Sequence, residues 1–150
     1  MNEKKRKVTI VGAGAVGSTF AHTLAQTGLV DEICITDMLT NFALGQVMDL
    51  SHGVPFLPQV DFRVGTESDY ADSDLVVITA GAKQEEGETR ISLLKRNAAI
   101  VEDVAKKVAA SGCKGVMVIV SNPVDVLTKI ALEASGWERW RVIGSGTVLD

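Results

Sequence analysis

Three glycines at fixed spacing, Gly12, Gly14 and Gly17, follow directly on the apolar run Val8-Thr9-Ile10-Val11. The chemistry such a pattern offers is phosphate binding. Gly12 permits a sharp turn, Gly14 removes a side chain where a diphosphate must approach the backbone, and Gly17 lets a following helix lie close to the strand. The N–H groups that open that helix, at Ala15 and Val16, then face the phosphates with the positive end of the helix dipole behind them. A G-x-G-x-x-G string alone is a common glycine turn. Here it sits between a strand pattern and a helix pattern, and Asp37 closes the next apolar run about twenty residues on, as a dinucleotide fingerprint requires. A carboxylate there accepts hydrogen bonds from both hydroxyls of the adenosine ribose. It also repels a 2′-phosphate, by roughly 4 kcal/mol per pair of unit charges at 4 Å and an effective dielectric near 20. No lysine or arginine lies between Met38 and Leu50 to offset that repulsion, so NAD is expected over NADP.

The elements that hold these groups follow from hydrophobic period. Val8 to Val11, Glu32 to Thr36 and Val60 to Val64 read as strands. Leu75 to Thr79 is a continuous apolar run, as in a strand buried on both faces of a parallel sheet. Val116 to Val120 and Arg141 to Ile143 complete six. Helices are predicted over Val16 to Gln26, stopped by Gly28; from a Thr40-Asn41 cap to about Leu50, ended by Gly53 and Pro55; over Ile91 to Ala110; and over Val124 to Ala134. Tyr70 to Ser73 reads as a short polar connection with a helical turn. The segment from Ala80 to Arg90 is charged and aperiodic, a mobile, functional loop at a strand's carboxyl end. Two β-α-β-α-β halves give an α/β, doubly wound, parallel six-stranded sheet of order 3-2-1-4-5-6 with helices on both faces, and ligands at the switch point. Around that crevice the cofactor-lining candidates are Thr79, Ala80, Gly81 and Ala82 after the fourth strand, with Val120, Ser121 and Asn122 after the fifth.

One hundred and fifty residues make one domain, able to bury roughly 70% of the unfolded chain's surface. With 15 basic and 19 acidic residues the net charge is −4, which argues against a nucleic-acid partner, where a basic face is expected. The run Lys4-Lys5-Arg6-Lys7 is the exception and reads as a solvated tail, residues 1–7, ahead of a domain over 8–150. No signal-peptide pattern and no run of membrane length are present. Cys34 and Cys113 are far apart and lack metal-ligand spacing, so they read as free thiols in a reducing cytoplasm, Cys34 as a buried small hydrophobe and no metal site.

The segment from Ala80 to Arg90 resembles the substrate loop of the lactate/malate dehydrogenase family. Ser121-Asn122-Pro123-Val124-Asp125 resembles its S-N-P-V-D motif, and Gly144-Ser145-Gly146-Thr147-Val148-Leu149-Asp150 the stretch that brings in a catalytic aspartate. With the glycines and Asp37 the likeness runs from about residue 8 to the last. It implies the Rossmann fold, an NAD cofactor, and hydride transfer at the carbon bearing a 2-hydroxyl or 2-keto group. In that reading Arg90 polarises the substrate carbonyl, Asn122 hydrogen-bonds near the same oxygen, and Asp150 orients a proton-transfer histidine as an aspartate does in hydrolase triads.

The resemblance implies that Gln84 occupies the position that faces the variable end of the substrate. Glutamine brings no charge, and with Glu85 and Glu86 beside it a second substrate carboxylate would be buried unpaired, at a cost of several kcal/mol. Pyruvate and L-lactate are therefore expected over oxaloacetate and malate. The family pattern continues past residue 150 into a carboxylate-binding arginine and the catalytic histidine of a second domain. His22 and His52 are in the wrong places to substitute. The chain is thus expected to bind NAD(H) without appreciable turnover. The alternatives are the malate branch or a stand-alone dinucleotide-binding module. A homo-oligomer is expected for the complete enzyme.

Overall fold

The computed structural model describes residues 4–146. Its ten main elements alternate as β1 (Lys7–Val11), α1 (Ala15–Gln26), β2 (Glu32–Thr36), α2 (Thr40–His52), β3 (Asp61–Val64), β4 (Leu75–Ile78), α3 (Arg90–Ala110), β5 (Val116–Ile119), α4 (Val124–Ser135) and β6 (Val142–Gly144). The sheet order is β3-β2-β1-β4-β5-β6, and every pairing is parallel. The doubly wound order read from the sequence is the one observed.

Side chains alternate across β1, and each parity meets its own pair of helices. Val8 and Ile10, with Ile33 and Ile35 of β2, pack on Ala21 and Ala25 of α1 and Ala43 and Val47 of α2. Val11, with Val76 and Ile78 of β4 and Met117 and Ile119 of β5, packs on Val101, Ala105 and Val108 of α3 and Leu127 of α4. Helices therefore cover both faces, and the carboxyl ends of β1, β4 and β5 open on one side.

Three local expectations change. The N-cap of α2 is Leu39, with no side-chain cap from Thr40 or Asn41; Asp37 Oδ1 accepts the Leu39 N–H at 2.9 Å instead. The helical turn expected at residues 70–73 is a 3₁₀ turn over Glu67–Tyr70. It starts earlier because Thr66 and Asp69 form a reciprocal capping box there. The basic run is solvated only over Lys4, Lys5 and Arg6, which are exposed though paired. Lys4 pairs with Asp74, Lys5 with Asp61 and Arg6 with Asp31, and Lys7 is 5% exposed as the first residue of β1.

Lys7 is tolerated in the sheet because carboxylates meet it. Its Nζ lies 2.9 Å from Asp69 Oδ1 and also binds Asp72. Arg63 of β3 closes the group by pairing with Glu32 and Asp69. Glu32, Cys34 and Asp69 bring ligand-type atoms within 4.8 Å of one another. Lys7 and Arg63 already engage both carboxylates, so the positive charge that this cluster attracts comes from within the protein. Burial pushes the Cys34 thiol up to about 12, leaving it inert; Cys34 and Cys113 are both free and buried.

Candidate cofactor and substrate site

The turn after β1 is held from three sides. Gly12 has φ +109°, a conformation L side chains rarely adopt. Its N–H donates to Thr36 O at 2.8 Å, and Thr79 Oγ1 donates to its carbonyl at 3.0 Å. A Cβ on Gly12 would stand 2.7 Å from Ala80 N, and one on Gly17 would stand 2.0 Å from Gly12 O. Both glycines are thus required by the protein's own packing.

Gly14 differs. Its φ of −65° and ψ of −177° suit any residue, and a Cβ added there would meet nothing within 4 Å. Nothing in the polypeptide needs a glycine at this position. The space it leaves lies over the first turn of α1, where no side chain caps the helix and no acidic residue offsets the dipole. Gly14, Ala15 and Val16 are exposed. Uncapped N–H groups beneath an open cradle are what a diphosphate fits, so the residues present suit a dinucleotide.

Asp37 stands beside this cradle, half-buried. Its Oδ2 accepts the Ala13 N–H at 2.8 Å and its Oδ1 the Leu39 N–H at 2.9 Å. A carboxylate has about four acceptor sites, so two remain for ribose hydroxyls. The loop-aspartate role leaves room for the ribose role expected from the sequence.

The β4–β5 ladder ends at Ile78↔Ile119, where Ile78 O accepts from the Val120 and Ser121 N–H groups at 2.9 and 3.3 Å, beside the switch-point crevice between β1 and β4. Ser121 Oγ donates to Ala80 O at 2.6 Å across the opening. Asn122 is exposed at the mouth, and the Asn122–Pro123 peptide is cis where Pro123 caps α4. Ala82, Val120 and Thr79 line the same opening, half-buried, with Gly81 exposed.

The segment after β4, read from the sequence as mobile, is instead pinned to α3 as a cap. Arg96 of α3 grips Glu88 with two N–H groups at 2.9 and 2.8 Å, Glu85 at 2.9 Å and the Lys83 carbonyl at 2.9 Å. The Glu85 backbone N–H and the Arg96 guanidinium together hold the Glu88 carboxyl below the usual range. Gln84 Nε2 donates to Glu88 O at 2.9 Å, so this amide is turned into its own loop. Arg90 is the first residue of α3, exposed, and without an ion-pair partner among the described residues. Asp150 lies outside the described residues. His22 in α1 and His52 at the end of α2 are both exposed and away from the ends of β4 and β5.

Sequence reasoning missed Arg96 and its neighbour Asn97. Asn97 is buried, and it interrupts the apolar stripe of α3 four residues before Val101, a signal open to reading in the periodicity. Exposed helical arginines are too common for Arg96 to stand out. Arg96→Met is expected to loosen the cap and raise trypsin cleavage after Lys83 and Arg90 severalfold, with Arg96→Lys intermediate because an ammonium lacks the fork. Equal cleavage rates in all three proteins would show that the guanidinium does not order the loop.

A family model described as the lactate/malate dehydrogenase NAD binding domain matches residues 6–144. The chain is 72% identical over 150 residues to an L-lactate dehydrogenase of Treponema denticola, covering 100% of this chain and 48% of that protein. It is 48% identical over 152 residues to an L-lactate dehydrogenase of Acetivibrio thermocellus, with coverage of 100% and 48%. Among solved structures, the minor L-lactate dehydrogenase from Enterococcus mundtii in its ligands-bound form matches with a TM-score of 0.94 at 39% identity, over 98% of this chain and 47% of that one. MGS-M5, a lactate dehydrogenase from a Medee basin deep-sea metagenome library, matches with a TM-score of 0.92 at 46% identity, over 98% and 47%. The chain spans about half the length of these relatives.

Proposed function

Because this chain belongs to the lactate/malate dehydrogenase family through its NAD-binding domain, we propose that it is the coenzyme-binding part of an L-lactate dehydrogenase, reducing pyruvate and oxidising L-lactate. The observation that carries the reading is the Gly14 cradle over an uncapped α1, with Asp37 beside it. NAD, when bound, supplies the hydride donor or acceptor. The backbone from Gly12 to Gly17 holds its diphosphate and Asp37 its adenosine ribose, while the ends of β4 and β5 line the nicotinamide side. Arg90, a cation with no ion-pair partner among the described residues, polarises the substrate carbonyl as negative charge develops. Asn122 hydrogen-bonds near the same oxygen. Asp150 orients the proton-transfer histidine of the complete enzyme. Gln84 meets the methyl end of the substrate once its amide leaves Glu88.

On their own, these 150 residues bind NAD(H) without appreciable turnover, since neither of their histidines is near the crevice. Self-association fits the exposed apolar side chains Phe42 and Met48 on α2 and Phe56 just beyond it. No helix among the described residues is long and apolar enough to cross a membrane, and the proposed setting is the cytoplasm.

The test has two arms. NADH fluorescence should show binding by this chain, and the full-length protein that contains it should turn over pyruvate at least tenfold faster than oxaloacetate. The opposite preference would move the assignment to the malate branch. Asp37→Ser is expected to lower the preference for NAD over NADP by at least tenfold, read as the ratio of kcat/KM values. An unchanged ratio would remove Asp37 from the ribose site.

A further inference from the structure

The last backbone ties between β4 and β5 are the Val120 and Ser121 N–H groups donating to Ile78 O at 2.9 and 3.3 Å, yet beyond them the two strand ends carry the groups that must face one substrate. After the Ser121–Ala80 contact, the next link between them is a side chain from a third element. Asn97 of α3 is 6% exposed. Its Oδ1 accepts the Ala82 N–H at 2.8 Å and its Nδ2 donates to Asn122 O at 3.3 Å. One wall of the crevice offers a donor and the other an acceptor, and Pro123 has no N–H with which to begin a backbone link. A primary amide has both an acceptor and a donor in one rigid plane. Aspartate of the same shape cannot donate when ionised, and leucine can do neither.

We propose that Asn97 is a positioning residue for the dehydrogenase reaction, fixing the separation of Ala82 and Asn122 so that the loop carrying Gln84 and Arg90 and the Asn122 side chain address the same substrate. This rests on the function proposed above. Both hydrogen bonds of the Asn97 amide go to backbone, and the diphosphate cradle at Gly12 to Gly17 belongs to a different pair of elements. Ala82 and Asn122 border only the nicotinamide side, while the diphosphate and adenosine grips at Gly12 to Gly17 and Asp37 stand on other elements, so loss of Asn97 acts on turnover first, with most of the coenzyme affinity retained. The contact of α3 with the crevice also couples two grips on one turn, since Arg96 holds residues 83–88 while Asn97 holds residue 82.

The experiment uses the full-length protein with Asn97→Leu and Asn97→Asp, measuring kcat with pyruvate, the NADH Kd and hydrogen exchange at the Ala82 amide. Asn97→Leu is expected to lower kcat at least tenfold, move the NADH Kd less than threefold and expose the Ala82 amide to faster exchange. Asn97→Asp keeps the acceptor, so Ala82 stays protected while kcat still falls, because the link to Asn122 is lost. Should the leucine variant fail to fold, the aspartate variant carries the test alone. Unchanged kcat in a folded variant overturns the proposal, as does a loss of NADH affinity in proportion to kcat. A wild-type protein that binds NADH and leaves pyruvate untouched would overturn the functional reading and, with it, the role given to Asn97. Activity in the wild type that survives both substitutions overturns the Asn97 role alone.

Discussion

Gly14→Val should weaken NAD binding at least 100-fold, about 2.7 kcal/mol, while leaving the melting temperature of the ligand-free protein within about 2 °C. The backbone at Gly14 is one that valine adopts without strain, and an added Cβ meets no protein atom within 4 Å. The chain's own stability therefore barely registers the change. The isopropyl group instead fills the space over the first turn of α1, the space a diphosphate needs to reach the uncapped N–H groups. Gly17→Ala gives the contrasting result. Its Cβ would lie 2.0 Å from Gly12 O, so α1 must move off β1, and the overlap should cost stability in the range of about 1–3 kcal/mol typical of overpacking, or more. NAD titrations of the two variants beside their thermal melts separate the two roles. A Gly14→Val protein that binds NAD with wild-type affinity would put the diphosphate elsewhere and take the coenzyme assignment with it.

The difference between those glycines shows what could be read from residue order. The sequence pattern located all three and assigned each a task, because a strand, a turn and a helix N-terminus are local events with strong residue signatures. Sheet order followed for a similar reason: strands that are apolar throughout, such as β4, have to be central, and repeated β-α units leave few topologies. What stayed hidden was every feature made by residues distant in sequence whose types are individually ordinary. Arg96 is one exposed-looking helical arginine among many until Glu88 and Lys83 are folded over it. Gln84 could be placed in the loop, but the direction of its amide depends on the Glu88 carbonyl. Lys7 was the clearest reversal. A cation at the end of a basic run looks solvated, and only the arrival of Asp69 and Asp72 from beyond β3 makes it a buried partner.

That buried group supports the second large effect. Asp69→Asn should destabilise the fold by about 3 kcal/mol at pH 7, the lower end of what removing one partner from a buried ion pair costs. Asp69 is 7% exposed and accepts from Lys7, Arg63 and the Thr66 N–H, so asparagine leaves two cations short of a counter-charge and weakens the capping box. The pH dependence distinguishes this from simple loss of packing. Burial pushes the Asp69 carboxyl up, but Arg63, the Thr66 N–H and Lys7 outweigh it and hold it well below its ordinary 3.8. A depressed carboxyl contributes stability that is complete above its unfolded value and is lost as the pH falls through its folded value. Lys7 behaves oppositely. Burial lowers it, its hydrogen bonds to Asp72 and Asp69 outweigh that, and it ends above 10.5, so its contribution is complete below 10.5 and is lost as the pH rises beyond its folded value. Between about pH 4 and pH 10 both charges are in place and the gap between wild type and Asp69→Asn should be constant. Below pH 4 the gap should narrow, because a protonated Asp69 and an asparagine present nearly the same group to Lys7. Urea unfolding of both proteins from pH 2 to pH 8 measures this directly. A gap that stays flat down to pH 2 would mean that the carboxylate charge contributes nothing there, and that Lys7 and Arg63 are held by Asp72 and Glu32 alone.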